Sequence, residues 1–355
     1  MVGPMPPPFG GMANQCEQLV RLLRAEGLHV DLVRTNAAYQ PEWVAQVRYV
    51  RALFRLVPFL VRLWKAAGKA QLMHVLANSG WAWHLCASPA IFVAHLRGTP
   101  VIVNYRGGYA ETFFGSASRH VLKTLAKAEL RVAPSAFLSR VFSSHGLQAE
   151  VIPNIVDLAR FPFRPVRAFG DAPHIIVTRN LEPIYDIPTA IAAFALVRNT
   201  FPGAVLTVAG SGPELDRLQA LARRLGIEKS VRFPGRIENA AIAKLYATAD
   251  CMINPSTVDN MPISILEAFA SGVPVVSTIA GGIPDIVNHG RSGMLVPIGD
   301  VIRMAEEVLN ILRTPTLANS LVCAGRAEAE RYEWPRVRDQ WLNAYARTVR
   351  AQRIS

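Results

Sequence analysis

Asn254-Pro255-Ser256-Thr257-Val258-Asp259-Asn260-Met261-Pro262-Ile263-Ser264-Ile265-Leu266-Glu267-Ala268-Phe269-Ala270-Ser271-Gly272-Val273-Pro274-Val275-Val276 decides how the rest of the chain is read. An apolar run, Cys251–Asn254, leads into a loop of turn residues. A helical pattern over Ile265–Ser271 follows, then Gly272 and a β-branched run, Val273–Thr278. Strand, loop, helix and strand in that order make a crossover unit, the connection a parallel pair of strands requires. Asp259 lies in the loop and Glu267 on the helix, eight positions apart, so two carboxylates from different elements can serve one site. Each oxygen pair accepts hydrogen bonds from sugar hydroxyls. The plainer reading, a helix-capping Asp and a solvated Glu, leaves the length and order of the stretch unexplained.

The same alternation extends outward in both directions. Towards the N-terminus, strands are expected at Val30–Val33, Leu72–Leu76, Val101–Tyr105, Leu130–Ala133 and Glu150–Ile152. In the second half they are expected at His174–Thr178, Val205–Ala209, Val231–Pro234 and the two runs above. Helical patterns such as Glu17–Glu26, Arg119–Lys127, Ile187–Asn199 and Glu214–Leu225 alternate with them. The reading is an α/β protein of two Rossmann-like halves, with a Pro- and Arg-rich linker over Phe161–Pro173. Domains are expected at 1–165 and 166–335, with a terminal helix over 336–355. The first strand is odd: Met1-Val2-Gly3-Pro4 precedes a Pro-rich turn, so the strand is short or the start is incomplete.

At 355 residues, with 51% hydrophobic and 18% charged residues, the chain has ample core for two domains. Cys16, Cys86, Cys251 and Cys323 are far apart, which argues against a disulfide framework or a zinc ribbon and suggests a reducing compartment. The N-terminus does not read as a secretory signal, and the most apolar stretch, Phe54–Trp64, contains Arg55, Pro58 and Arg62. The net charge of +12 is unevenly placed: residues 1–165 hold 18 Lys and Arg against 8 Asp and Glu, the remainder 20 against 18. Between Glu42 and Glu111 eight basic residues meet no acidic one. An anionic partner is expected at the first half.

Two glycine turns also open helices. Gly10-Gly11 puts a close-approaching backbone and free N–H groups at a helix start, which favours phosphate. Gly210-Ser211-Gly212 lacks the third glycine of a dinucleotide fingerprint and reads as structural, so a nicotinamide dehydrogenase is poorly supported. With Val151-Ile152-Pro153-Asn154-Ile155-Val156-Asp157, Thr178-Arg179-Asn180-Leu181-Glu182-Pro183, Arg232-Phe233-Pro234-Gly235 and the Asp259–Glu267 segment, they stand in a fixed order. In that order the chain resembles glycosyltransferase family 4, retaining enzymes of the GT-B fold, over essentially its whole length.

The resemblance implies two Rossmann-like domains facing across a cleft, with a final helix crossing back to the N-terminal one. The N-terminal domain would bind the acceptor and the C-terminal domain the nucleotide sugar. Glu267 matches the residue that holds the ribose hydroxyls, Asp259 the one that contacts the hexose, and Arg179 the one that grips the diphosphate. Gly10, Gly11, Met261, Pro262 and Ile263 complete the donor set. The chain departs from the family in three places: Asp259 stands for a Glu, Tyr185 for a diphosphate-binding Lys, and Arg106 for a His. Arg106 is the candidate to restore the missing charge, so Asp259, Arg179 and Arg106 form the expected catalytic set. The implied function is transfer of a hexose-type sugar from a UDP- or GDP-linked donor to a glycan or lipid-linked acceptor, in surface polysaccharide or glycolipid synthesis. No cofactor is expected, and with no Asp-x-Asp triplet no metal. The competing readings are a nucleotide-sugar epimerase and a non-catalytic basic scaffold that binds membrane or nucleic acid.

Arg48, Arg51, Arg55, Arg62, Lys65 and Lys69 fall within an arc of about 100° on a 3.6-residue helix. Val57, Phe59, Leu60, Val61, Leu63 and Trp64 lie between them. A solvated helix pair and an anionic membrane contact both fit this pattern, and Pro58 is expected to divide it into two helices. Aromatics alternating with Arg suit a bilayer better than nucleic acid. The expected location is cytoplasmic, with peripheral association at the inner face of the plasma membrane.

Overall fold

The structure, a computed structural model, describes residues 1–7, 10–37, 51–116, 119–164 and 169–354. The chain divides into two compact units, Met1–Ile155 with Val337–Ser355, and Val156–Arg336.

The first unit holds β1 (Val2–Gly3), β2 (Val33–Arg34), β3 (Met73–Ala77), β4 (Val101–Tyr105), β5 (Leu130–Ala133) and β6 (Glu150–Val151). They pair in parallel in the order β2-β1-β3-β4-β5-β6. Its helices are α1 (Gly11–Ala25), α2 (Arg51–Ala67), α3 (Ser88–Leu96), α4 (Ala110–Ser116), α5 (Arg119–Ala126) and α6 (Ala136–Ser144). β3 and β4 are buried throughout, as strands covered on both faces must be. β2 begins at Val33, later than the apolar pattern suggests, because Val2 pairs with Val33 and β1 is two residues long.

The second unit repeats the plan with β7 (His174–Val177), β8 (Val205–Ala209), β9 (Val231–Gly235), β10 (Cys251–Asn254), β11 (Val275–Thr278) and β12 (Met294–Val296). Their order is β12-β11-β10-β7-β8-β9, again parallel. Around them lie α7 (Ile187–Thr200), α8 (Leu215–Arg224), α9 (Asn239–Thr248), α10 (Ile263–Ser271), α11 (Val301–Arg313) and α12 (Pro315–Glu330). Each unit is thus a Rossmann-like doubly wound sheet.

Two expectations are corrected. The change of unit falls after Ile155, not at 165, because packing outweighs composition there: the Val156 N–H donates to Tyr332 O at 3.0 Å, and Val156, Leu158 and Phe161 are buried in the second unit's core. Pro58 does not divide α2, which runs unbroken across it. The proline sits on the exposed side, where the carbonyl that its missing N–H would have met is open to solvent hydrogen bonding.

The last helix, α13 (Trp334–Ile354), starts in the second unit and belongs to the first from Val337 onward. Trp341 is 1% exposed and packs on the His74 ring at 4.8 Å between centroids; Tyr345 OH lies 2.9 Å from His74 Nδ1. Burial holds His74 well below its ordinary pKa, so it is a neutral core residue that fixes this helix. Arg347 adds a 2.6 Å ion pair to Glu150. Replacing Trp341 by Ala empties this contact and is expected to destabilise the first unit by about 3–5 kcal/mol, read as a lower urea midpoint for that unit's transition.

Candidate active site

In a parallel sheet, loops at the carboxyl ends of the strands gather side chains from distant sequence. Arg179, just past β7, meets Asp259, in the loop after β10, as a salt bridge in which each side chain is 12% exposed. The Asp259 carboxylate also accepts from the backbone N–H groups of Asn260 and Met261. Burial raises the Asp259 carboxyl, while the Arg179 charge and these donors oppose the shift. The other Arg179 nitrogen approaches Ser264 Oγ at 3.4 Å, on the first turn of α10.

The loops are fixed by backbone contacts that few side chains would permit. A Cβ on Gly210 would meet Arg179 O at 1.9 Å, and one on Gly212 would meet Leu181 O at 2.3 Å. The Gly210–Gly212 turn is therefore structural, as its sequence suggests, and its task is to seat the Arg179 loop. The Thr257 N–H donates to Ile184 O at 2.8 Å, tying the Asp259 loop to the turn Pro183–Tyr185. Asp186, in the left-handed region at φ 42°, ends that turn and receives the Thr189 hydroxyl at 2.6 Å. Tyr185 stands where a second cation was missed, and its ring lies 4.0 Å from the Arg179 guanidinium carbon. The ring offers Arg179 a face to rest on instead of a like charge to repel it.

Glu267, one turn along α10 from Ser264, faces Tyr246 from α9, with Oε2 3.1 Å from the phenol oxygen. Tyr246 also bonds Ser264 O at 3.0 Å and Thr178 Oγ1 at 2.8 Å, so one buried phenol links α9, α10 and the end of β7. Burial raises the Glu267 carboxyl to about 7, with Tyr246, Arg160 and Arg179 opposing. Neither Tyr246 nor Arg160 stood out in the sequence. Arg160 has a buried Nη2 with no hydrogen-bond partner among the described residues, and its charge acts on Glu267. The Met261 side chain is buried in the core, and its backbone N–H is taken by Asp259.

The first unit gathers the other expected residues. α1 opens at Gly11 after an extended Gly10, with no acidic residue in its first turn and open space where a Gly10 Cβ would point. Nothing in the fold demands glycine at position 10. Gln15, on the same turn, bonds both backbone atoms of Ile155, at 2.8 and 2.9 Å. Arg106, past β4, donates to Asn154 Oδ1 at 2.5 Å and lies close enough to Cys16 of α1 to influence it. Burial lowers the Arg106 pKa to about 10. Of the basic stripe, Arg55, Arg62 and Lys65 are exposed on α2; Arg48 and the Arg51 side chain lie outside the described residues. No group of three His, Cys, Asp or Glu is placed to hold a metal ion among the described residues.

Comparison with known proteins adds the context. A family model for glycosyl transferases group 1 matches residues 161–328, and one for Glycosyltransferase Family 4 matches residues 9–160. The chain is 27% identical over 282 residues to glycogen synthase of Mycobacterium tuberculosis, spanning 76% of this chain and 68% of that protein. It is 27% identical over 367 residues to the same organism's GDP-mannose-dependent alpha-(1-6)-phosphatidylinositol monomannoside mannosyltransferase, spanning 95% and 92%. In fold it is similar to sucrose-phosphate synthase of Thermosynechococcus elongatus, with TM-score 0.78, 21% identity and coverage of 96% and 94%. Anabaena HepE, in complex with UDP, gives TM-score 0.70 at 20% identity, with coverage of 93% and 89%.

Two outcomes test this geometry. Gly210→Ala forces a backbone clash beside Arg179 and is expected to destabilise the second unit by about 1–3 kcal/mol, measured by urea unfolding. The folded chain keeps a proton on Glu267 that the unfolded chain releases between pH 4.5, its ordinary value, and about 7. Stability therefore falls as pH rises through that window, by no more than about 3.5 kcal/mol. Glu267→Gln should flatten this slope in melting experiments at stepped pH.

Proposed function

We propose a retaining sugar transfer for this chain, which belongs to glycosyltransferase family 4. A hexose-type sugar moves from a UDP- or GDP-linked donor to a glycan or lipid-linked acceptor, in surface polysaccharide or glycolipid synthesis. The observation that carries the reading is the convergence of Arg179, Asp259, Ser264 and Glu267 at one end of one sheet, on the segment that led the sequence analysis. HepE in complex with UDP and the GDP-mannose-dependent relative support both donor bases.

Glu267 receives the ribose hydroxyls, as two adjacent acceptor oxygens suit a diol. Asp259, with backbone from Met261, Pro262 and Ile263, receives the hexose. The anomeric carbon–oxygen bond breaks with its electron pair going to the diphosphate. Arg179 meets that growing negative charge; within the first unit, the Gly10 and Gly11 N–H groups and Arg106 offer positive character of the kind a phosphate takes. The acceptor oxygen bonds to the anomeric carbon on the face the diphosphate leaves, and its proton passes to the departing phosphate oxygen. Configuration is kept, and neither a protein base nor a metal ion is needed. Residues up to Ile155 serve the acceptor and Val156–Arg336 the donor. The basic face of α2 is assigned to an anionic membrane, at the inner face of the plasma membrane.

Release of UDP or GDP from one member of a sugar-nucleotide panel by the purified chain is the expected result; no binding to any member would overturn the reading. Arg179→Lys keeps the charge but loses the planar fork, and is expected to lower turnover on the order of 10²-fold with the fold intact by circular dichroism. Activity should survive EDTA. Loss on chelation, restored by Mg²⁺ or Mn²⁺, would refute the metal-free mechanism.

A further inference from the structure

The phenol oxygen of Tyr246 has more neighbours than its one proton can serve. It lies 3.0 Å from Ser264 O, 3.1 Å from Glu267 Oε2 and 2.8 Å from Thr178 Oγ1, on a side chain that is fully buried. Ser264 O is a carbonyl oxygen and can only accept, whereas the Thr178 hydroxyl can donate. If the phenol proton goes to Ser264 O, the contact with Glu267 is a hydrogen bond only when the carboxyl brings a proton of its own. If the phenol proton goes to an ionised Glu267, Ser264 O loses it. All three contacts are satisfied together by a protonated Glu267 that donates to the phenol oxygen.

The surroundings agree with that count. Burial pushes the Glu267 carboxyl up to about 7. Arg160, of the turn Leu158–Arg160, and Arg179, beyond β7, act against the shift through their charge alone, since neither hydrogen-bonds to Glu267. From α9 only Tyr246 faces it, Lys244 being exposed, and β11 holds no titratable residue. On α12, which packs against α10, Arg326 bonds Ala270 O and Glu330, and Glu328 bonds Tyr332 and Arg331. The Glu267 side chain is only half-buried, and its other oxygen has no hydrogen-bond partner among the described residues.

We propose that Glu267 stands as a neutral acid against Tyr246 before the nucleotide binds, and that the ribose diol displaces its proton to solvent while the Tyr246 hydroxyl turns from Ser264 O to the new carboxylate. The inference rests on the reading of Glu267 as the ribose contact and adds Tyr246 as its positioning residue. Two hydroxyls that donate side by side need two acceptor oxygens, and a proton on Oε2 occupies one of them. Hydrogen bonds to a charged carboxylate are roughly twice as strong as those to a neutral one, so the diol favours the ionised form. The phenol needs no movement of its ring, only rotation about its C–O bond. Ser264 O lies within α10, where the helical ladder still serves it after the phenol turns away.

Titration calorimetry of the full chain with UDP and with GDP at about pH 6, in two buffers of different ionisation enthalpy, counts the protons released. The 2′-deoxy nucleotide is the comparison: it brings the same diphosphate to Arg179 and Asp259 but lacks one hydroxyl of the diol. The ribonucleotide is expected to release about one proton more than its deoxy analogue, and Glu267→Gln to abolish the difference. The ratio of the two affinities should rise with pH by up to about tenfold per unit below about 7 and level off above it. Tyr246→Phe keeps the ring but loses the donor to the carboxylate. It should weaken ribonucleotide binding at neutral pH by about tenfold or more and move the rise to higher pH, whereas a merely loosened fold would weaken both nucleotides alike. Equal proton release by the two nucleotides, or a Tyr246→Phe profile that coincides with that of the unaltered chain, would overturn the inference and leave the sugar-transfer reading in place. Failure of both UDP and GDP to bind would overturn the two together.

Discussion

The second unit is organised around one constraint: two opposite charges, on Arg179 and Asp259, are held together where little water reaches. Burying either alone would cost several kcal/mol, so every element nearby serves to keep them in register. Glycines at 210 and 212 let one loop descend far enough, the Thr257–Ile184 bond brings in the other, and Tyr185 supplies a flat surface under the guanidinium. The pair also sets the terms on which a ligand enters. Any anion drawn to Arg179 must share it with Asp259 or take it over. The missing second cation and the shortened acid thus belong to one arrangement, in which a single Arg is held by a carboxylate and a ring.

Glu267 follows a different logic. It is raised towards neutrality by burial and rests against a phenol, so around pH 7 it can both accept and donate hydrogen bonds.

The segment from Asn254 to Val276 was legible because its signals agree. Turn residues, a helical period and β-branched runs each mark a boundary, and Gly272, at φ 70°, ends α10 where the helical period stops. Most of the other strands were readable for the same reason. Other features depend on packing that no local pattern carries. Met294–Val296 is a three-residue edge strand, too short to show a period. Tyr246 and Arg160 act on Glu267 from α9 and from the turn Leu158–Arg160, and ordinary helical and basic residues announce no such role. The true change of unit sits inside an apolar run, where a search for Pro-rich composition passes it by. Pro58 misled because a proline removes one hydrogen bond from a helix without always ending it, and on the exposed side the freed carbonyl can turn to solvent.

The path of the chain carries a consequence for its synthesis. The second unit is one continuous segment and can close as soon as its own residues have left the ribosome. The first is made of the beginning and the end of the chain, and His74 meets Trp341 and Tyr345 only when α13 arrives. The half that is translated first is therefore completed last. Until then the face of the sheet around His74 lies uncovered, an exposed apolar surface of the kind on which nascent chains aggregate and to which chaperones bind.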